Sequence, residues 1–65
     1  MSKTMDDFNR LAQLYRDKAE AGEYCNPYDV REELERVADE IDISEDERES
    51  LKDIAHKVGG LFWSM

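Results

Sequence analysis

Residues 26–47 read NPYDVREELERVADEIDISEDE and contain two helix-start signals a short distance apart. Asn26 is a strong N-cap residue and Pro27 is preferred at the first helical position, so a helix begins here. Ser44 and Glu47 have the spacing of a capping box, which begins another helix. The link between the two helices is as short as Asp42-Ile43, and such a link predicts a tight helical hairpin or corner.

Apolar residues recur at spacings of three and four in three segments, which predicts helices at about residues 5–21, 27–41 and 45–58. Thr4 is the expected N-cap of the first helix, and Gly22 suits a left-handed position just past its end. The sequence therefore predicts an all-α fold, a single three-helix domain that spans residues 1–65. The predicted core stripes are Phe8, Leu11, Ala12, Tyr15 and Ala19, then Val30, Leu34, Val37, Ala38 and Ile41, then Leu51, Ile54, Ala55 and Val58.

Composition limits the classes of function. The chain of 65 residues has one cysteine, which excludes an internal disulfide and is typical of a reducing cytoplasm. No apolar stretch is long enough for a membrane span, so no membrane association is expected. The net charge is −8, and twelve acidic but only four basic residues lie between Asp29 and Asp53. Because this region repels a phosphate backbone, no direct binding to nucleic acid is expected.

The residue types that carry catalysis or bind metals form no pattern in this chain. His56 is the only histidine, and a helical Asp53-x-x-His56 is half of a carboxylate-bridged metal site without its other half. Cys25 precedes a helix N-cap, where it fits a hydrophobic staple better than a nucleophile. Residues 42–46 begin like a calcium loop, but the required Gly and Glu are missing further along. We therefore expect no enzyme activity, no cofactor and no metal.

Residues 51–59, LKDIAHKVG, resemble the first helix and turn of the helix-turn-helix DNA-binding family, in which Ile54-Ala55 and Val58-Gly59 match the pattern. The resemblance implies sequence-specific DNA binding. Gly60 departs from the apolar residue that the family places after the turn. Residues 61–65, where a recognition helix belongs, carry no Arg, Lys, Asn or Gln to read base edges. This function therefore ranks behind two protein-binding alternatives.

The first alternative is a small adaptor or inhibitor that docks on a protein partner, or on a second copy of itself, through an apolar patch. Aromatic residues are enriched at the centres of such interfaces. The expected patch consists of Leu61, Phe62, Trp63 and Met65.

The second alternative is an acidic mimic of nucleic acid that occupies the basic groove of a DNA-binding protein. Like charges four residues apart destabilise a helix slightly, which suggests that they serve a purpose. The expected ridge consists of Glu45, Glu49 and Asp53, with Glu35 and Asp39 as a second ridge.

The C-terminal tail, residues 59–65, reads GGLFWSM, and its apolar residues could either complete the core or form an interface. Two adjacent glycines inside a helix cost about 2 kcal/mol relative to alanine. We therefore expect the third helix to stop near Val58, with Gly59 or Gly60 as a left-handed cap. Because the predicted core is thin, residues 61–63 are expected to fold back and close the bundle, the alternative being an exposed anchor or a dimer contact.

In size, acidity and helical content the chain resembles the accessory proteins of bacteriophage early regions and mobile elements. Many such proteins modify a host protein. The resemblance implies a regulatory role in a bacterial cytoplasm.

Overall fold

The computed structural model describes residues 3–63, which form three helices around one core. The helices are α1 (Met5–Glu20), α2 (Pro27–Glu40) and α3 (Glu45–Gly60). The predicted all-α, three-helix fold is confirmed. Compared with the predicted bounds, α1 and α2 each end one residue earlier, whereas α3 continues two residues further.

Each helix begins at the predicted N-cap. The Thr4 hydroxyl accepts a hydrogen bond from the backbone N–H of Asp7, and the Asp7 carboxylate accepts one from the backbone N–H of Thr4. The bond from the Thr4 N–H lowers the pKa of the Asp7 carboxyl group. Asn26 and Ser44 cap α2 and α3 through side-chain oxygens that accept from backbone N–H groups. These bonds satisfy N–H groups that have no partner within the helix.

The end of α1 is a Schellman motif. Gly22 has a φ of +79°, and it is the residue with positive φ in the described part of the chain. Its N–H donates to the carbonyl of Ala19, and the N–H of Glu23 donates to the carbonyl of Lys18. The predicted left-handed role of Gly22 is confirmed, because glycine adopts this conformation without a Cβ clash.

The core is built from the predicted stripes of the three helices together with Phe62 of the tail. Each helix contributes one face at helical spacing, and the opposite faces are charged and exposed. None of the helices in residues 3–63 is both long enough and apolar enough to cross a membrane. The buried apolar residues are Phe8, Ala12, Val30, Leu34, Ala38, Ile41, Leu51, Ala55, Val58 and Phe62.

Helices α2 and α3 form the predicted hairpin, with the start of α2 beside the end of α3. The guanidinium of Arg48, near the start of α3, donates to the carbonyls of Ala38 and Ile41 at 3.5 and 3.1 Å. It therefore caps the end of α2 from the neighbouring helix. Lys52, one turn further along α3, pairs with Asp39 at 3.2 Å.

The predicted stop of α3 near Val58 is wrong, and neither Gly59 nor Gly60 is a left-handed cap. Both glycines lie inside α3, which ends at Gly60. The physical reason lies in α2. A Cβ on Gly59 would stand 3.0 Å from the carbonyl oxygen of Pro27, so the missing side chain permits the close contact between the helices. The tertiary contact thus outweighs the low helix propensity of glycine.

The chain beyond α3 continues in a tight turn over residues 61–63. The N–H groups of Leu61, Phe62 and Trp63 donate to carbonyls three residues earlier, at 3.1, 3.1 and 3.3 Å. The turn thus continues the course of α3 and brings Phe62 into the core. The predicted packing of the tail on the bundle is confirmed for Phe62.

Candidate functional site

The predicted apolar patch is divided between the core and the surface. Phe62 is 1% exposed, whereas Leu61 and Trp63 on either side of it are 45% and 61% exposed. The expectation that residues 61–63 together close the bundle is therefore wrong for Leu61 and Trp63. Met65, the fourth predicted residue, lies outside the described part of the chain.

Phe62 fixes the position of its two exposed neighbours. Its ring packs edge to face against Tyr15 of α1, with centroids 6.5 Å apart and planes at 87°. A ring buried in a close-packed core has few alternative positions. The tail therefore presents Leu61 and Trp63 from a fixed backbone.

Trp63 pairs with Tyr28 at the start of α2. The two ring centroids are 5.1 Å apart and the ring planes meet at 85°. Tyr28 is 58% exposed, so more than half of each side chain faces solvent. We call Tyr28 and Trp63 the aromatic pair. Tyr28 was missed by the sequence analysis, because the signal in Asn26-Pro27-Tyr28-Asp29 concerns the helix start and does not reveal which side chain the tail contacts.

A charged side chain borders the aromatic pair. The guanidinium carbon of Arg31 lies 6.0 Å from the centroid of the Tyr28 ring, a distance typical of a cation–π contact. Glu35 holds the same guanidinium through an ion pair of 3.2 Å. The aromatic pair is thus continuous with a polar strip along α2.

Leu61 lies on a different side of the tail from Trp63. It lines a shallow groove together with Arg16, Ala19 and Glu20 of α1. Leu61 therefore borders α1, whereas Trp63 borders α2, and Phe62 lies buried between them. Of residues 61–63 of the predicted patch, Trp63 alone exposes an aromatic ring, and Tyr28 adds a second exposed ring beside it.

The second predicted ridge consists of Glu35 and Asp39, and both carboxylates contact basic side chains of α3. Glu35 lies 3.8 Å from His56, in addition to its pair with Arg31. Asp39 lies 3.2 Å from Lys52. These carboxylates link the two helices of the hairpin, so they are less available to a basic groove than solvated carboxylates would be.

The first predicted ridge, on α3, remains on the surface. Glu45 pairs with Arg48 at 3.0 Å, and Asp53 approaches Lys57 at 3.9 Å, yet their side chains are 87% and 74% exposed. Glu49 and Asp53 line a shallow depression on this face. The carboxylates of this ridge are thus exposed to solvent, although Arg48 and Lys57 offset part of their negative charge.

One polar contact that sequence reasoning missed joins α1 to α2. The Tyr15 hydroxyl donates to the carboxylate of Glu33. Burial, reinforced by this bond, raises the pKa of Tyr15 to about 12. The residues lie eighteen positions apart, so no local pattern could have revealed the contact.

The residues weighed as catalysts or metal ligands are dispersed. Cys25 is half-buried and packs against the core. His56 is exposed beside Glu35. Within residues 3–63, no three His, Cys, Asp or Glu side chains are grouped so that they could hold a metal ion. Comparison with protein-family models, with curated proteins and with solved structures finds no match for this chain.

Proposed function

We propose that this chain is a small, acidic, non-enzymatic interaction protein that docks on a protein partner through the aromatic pair. The observation that carries the proposal is the contrast between Phe62 and Trp63. One aromatic residue is buried in the core, and the next is 61% exposed against an exposed tyrosine.

The aromatic pair has the properties of an interface centre. Tyr and Trp carry much of the binding energy in protein interfaces, because each buries a large area with few rotatable bonds. Phe62 anchors the backbone beside Trp63, so little ordering has to occur on binding. Such preorganisation lowers the entropic cost of association.

The partner in this proposal is a different protein rather than a second copy. Two copies with a net charge of −8 each repel one another, whereas a partner with a basic surface is attracted. We propose that the protein acts in a reducing bacterial cytoplasm. Its proposed role is regulatory, as in accessory proteins of mobile elements. The lone cysteine is compatible with that setting.

The acidic-mimic function is the second candidate, and it rests on the exposed carboxylates of α3. Its binding would weaken steeply with salt, whereas docking by an aromatic pair changes less. The triple change Glu45→Gln, Glu49→Gln and Asp53→Asn removes the acidic charges of the ridge and therefore distinguishes the mimic from docking by the aromatic pair. Partner binding that survives this triple change excludes the mimic.

The direct test is capture of a partner from bacterial lysate by the immobilised chain. Trp63→Ala and Tyr28→Ala are compared with Leu14→Ala, a change at an apolar residue of α1 that is 49% exposed. We expect a specific protein to bind the wild type and the Leu14 variant and to be lost from the other two. Phe62 is left unchanged, because its replacement would remove a core residue.

Two results would overturn the proposal. The first is capture that survives both changes in the aromatic pair. The second is a dimer, measured by light scattering, that Trp63→Ala dissociates, because the partner would then be a second copy.

A further inference from the structure

The aromatic pair exposes π surface as well as apolar area. Its rings are nearly perpendicular, at 85°, so they form two walls of a corner rather than a flat stack. More than half of each side chain is exposed, so solvent reaches ring surface on both walls. Ring faces carry partial negative charge and attract cations.

The chain already places one guanidinium against this corner. Arg31 lies 6.0 Å from the Tyr28 centroid, and it is the cation found over an aromatic ring within the described residues. Indole is a stronger cation–π acceptor than phenol. Trp63 therefore offers the better of the two ring faces to a cation from outside the chain.

The charge around the aromatic pair favours a cationic ligand. The shallow groove that Tyr28 lines carries three acidic and two basic side chains, namely Glu32, Glu35, Asp39, Arg31 and Arg36. Arg36 pairs with Glu32 at 3.6 Å, so the acidic excess in the groove is one charge. Acidic Asp29 follows Tyr28 directly in α2 and is exposed. The chain as a whole carries a net charge of −8. The net negative charge thus attracts a basic segment at long range, and the aromatic pair contacts it at short range.

From this geometry we propose that the aromatic pair recognises an arginine-bearing segment of the partner, with a guanidinium stacked on the Trp63 indole. The inference deepens the proposed function and rests on it, because it names the chemistry that the docking surface accepts. Arginine fits better than lysine, since its planar guanidinium stacks on a ring and is more weakly hydrated.

The test uses a short fluorescein-labelled peptide that alternates arginine and leucine, and a matched peptide with citrulline in place of every arginine. Citrulline keeps the shape of the side chain but has no charge. Binding to wild type and to Trp63→Leu is measured by fluorescence anisotropy. Trp63→Leu keeps an apolar side chain and the net charge but removes the indole face. Unfolding curves of the two proteins confirm equal folding.

We expect the arginine peptide to bind wild type and to bind Trp63→Leu about two- to thirtyfold more weakly. The citrulline peptide should bind wild type more weakly and should be insensitive to Trp63→Leu. Equal binding of the arginine peptide to both proteins overturns the inference, and so does an absence of binding by either peptide.

The failure of this inference is distinguishable from the failure of the proposed function. If both peptides bind wild type equally and both weaken in Trp63→Leu, the pair docks apolar groups and the inference alone is wrong. The same holds if neither peptide binds while Trp63→Ala still abolishes capture of a lysate partner. If that capture also survives, the proposed function is wrong as well.

Discussion

Gly59 of α3 lies directly against the backbone of Pro27 in α2. A Cβ at this position would stand 3.0 Å from the Pro27 carbonyl oxygen and 3.5 Å from the Cβ of Arg31. The contact sets how closely the two helices approach at the end of the hairpin where the tail begins. Because the aromatic pair forms just beyond it, the position of Trp63 depends on this approach.

Gly59→Ala and Gly60→Ala should therefore have opposite effects on stability. A Cβ on Gly60 meets nothing within 4 Å, so Gly60→Ala should raise the free energy of unfolding by about 0.5–1 kcal/mol through helix propensity. Gly59→Ala should lower the free energy of unfolding by about 1–2 kcal/mol, because α2 and α3 must move apart to accommodate the new Cβ. Urea unfolding followed by circular dichroism measures both. Equal stabilisation by the two changes would contradict the close contact.

Phe62 and Trp63 should differ sharply in their contributions to stability. Phe62→Ala empties a buried site and should cost about 3–5 kcal/mol, enough to unfold much of so small a domain. Trp63→Ala removes an exposed ring and one aromatic contact, and should cost no more than about 1.5 kcal/mol. Thermal and urea unfolding of the two variants test this. A Trp63→Ala protein as unstable as Phe62→Ala would make Trp63 a core residue instead.

Much of this architecture is readable from local pattern. The stripes of Phe8, Leu34 and Leu51 and the caps at Asn26 and Ser44 depend on neighbours within one or two turns of helix, so the sequence predicts them. The path of the tail depends on a contact across the hairpin. Local propensity at Gly59 and Gly60 favours a helix end, and only the approach of α2 shows why the helix continues.

The candidate site is partly predictable for the same reason. An apolar run that contains Trp63 indicates a possible binding site in the tail, because aromatic residues are enriched at the centres of interfaces. Which ring is buried depends on how α3 is rotated against α1 and α2. The pairing of Trp63 with Tyr28 depends on the same rotation, and the sequence pattern contains no information on it.

Arg48 should contribute more to stability than the other basic residues of α3. Its half-buried guanidinium donates to two carbonyls at the end of α2, and Arg48→Ala leaves them without that donor. We expect a loss of about 1–3 kcal/mol in the free energy of unfolding. The control is Lys57→Ala, whose 3.9 Å pair with Asp53 is exposed and should contribute at most about 0.5 kcal/mol. Equal losses in both variants would show that Arg48 does not cap α2.

Tyr15 should make stability depend on pH in the alkaline range. Its pKa in the folded chain is raised to about 12, above the ordinary value near 10, so folding favours the neutral phenol. The resulting stability is fully present below about pH 10 and is lost as the pH rises towards 12. Ultraviolet titration should show a tyrosinate phase near pH 12 that Tyr15→Phe removes. An unchanged alkaline titration in that variant would contradict the assignment.

If Phe62 anchors the tail while Trp63 contacts a partner, the fluorescence of Trp63 should change when a partner binds. Trp63 is the only tryptophan in the chain, so its emission reports on this side chain alone when the partner peptide lacks tryptophan. On adding the arginine–leucine peptide without its label, we expect altered emission and reduced quenching by acrylamide, since the indole becomes covered. Binding of that peptide, measured by calorimetry, with emission and quenching unchanged would contradict a contact between Trp63 and the peptide.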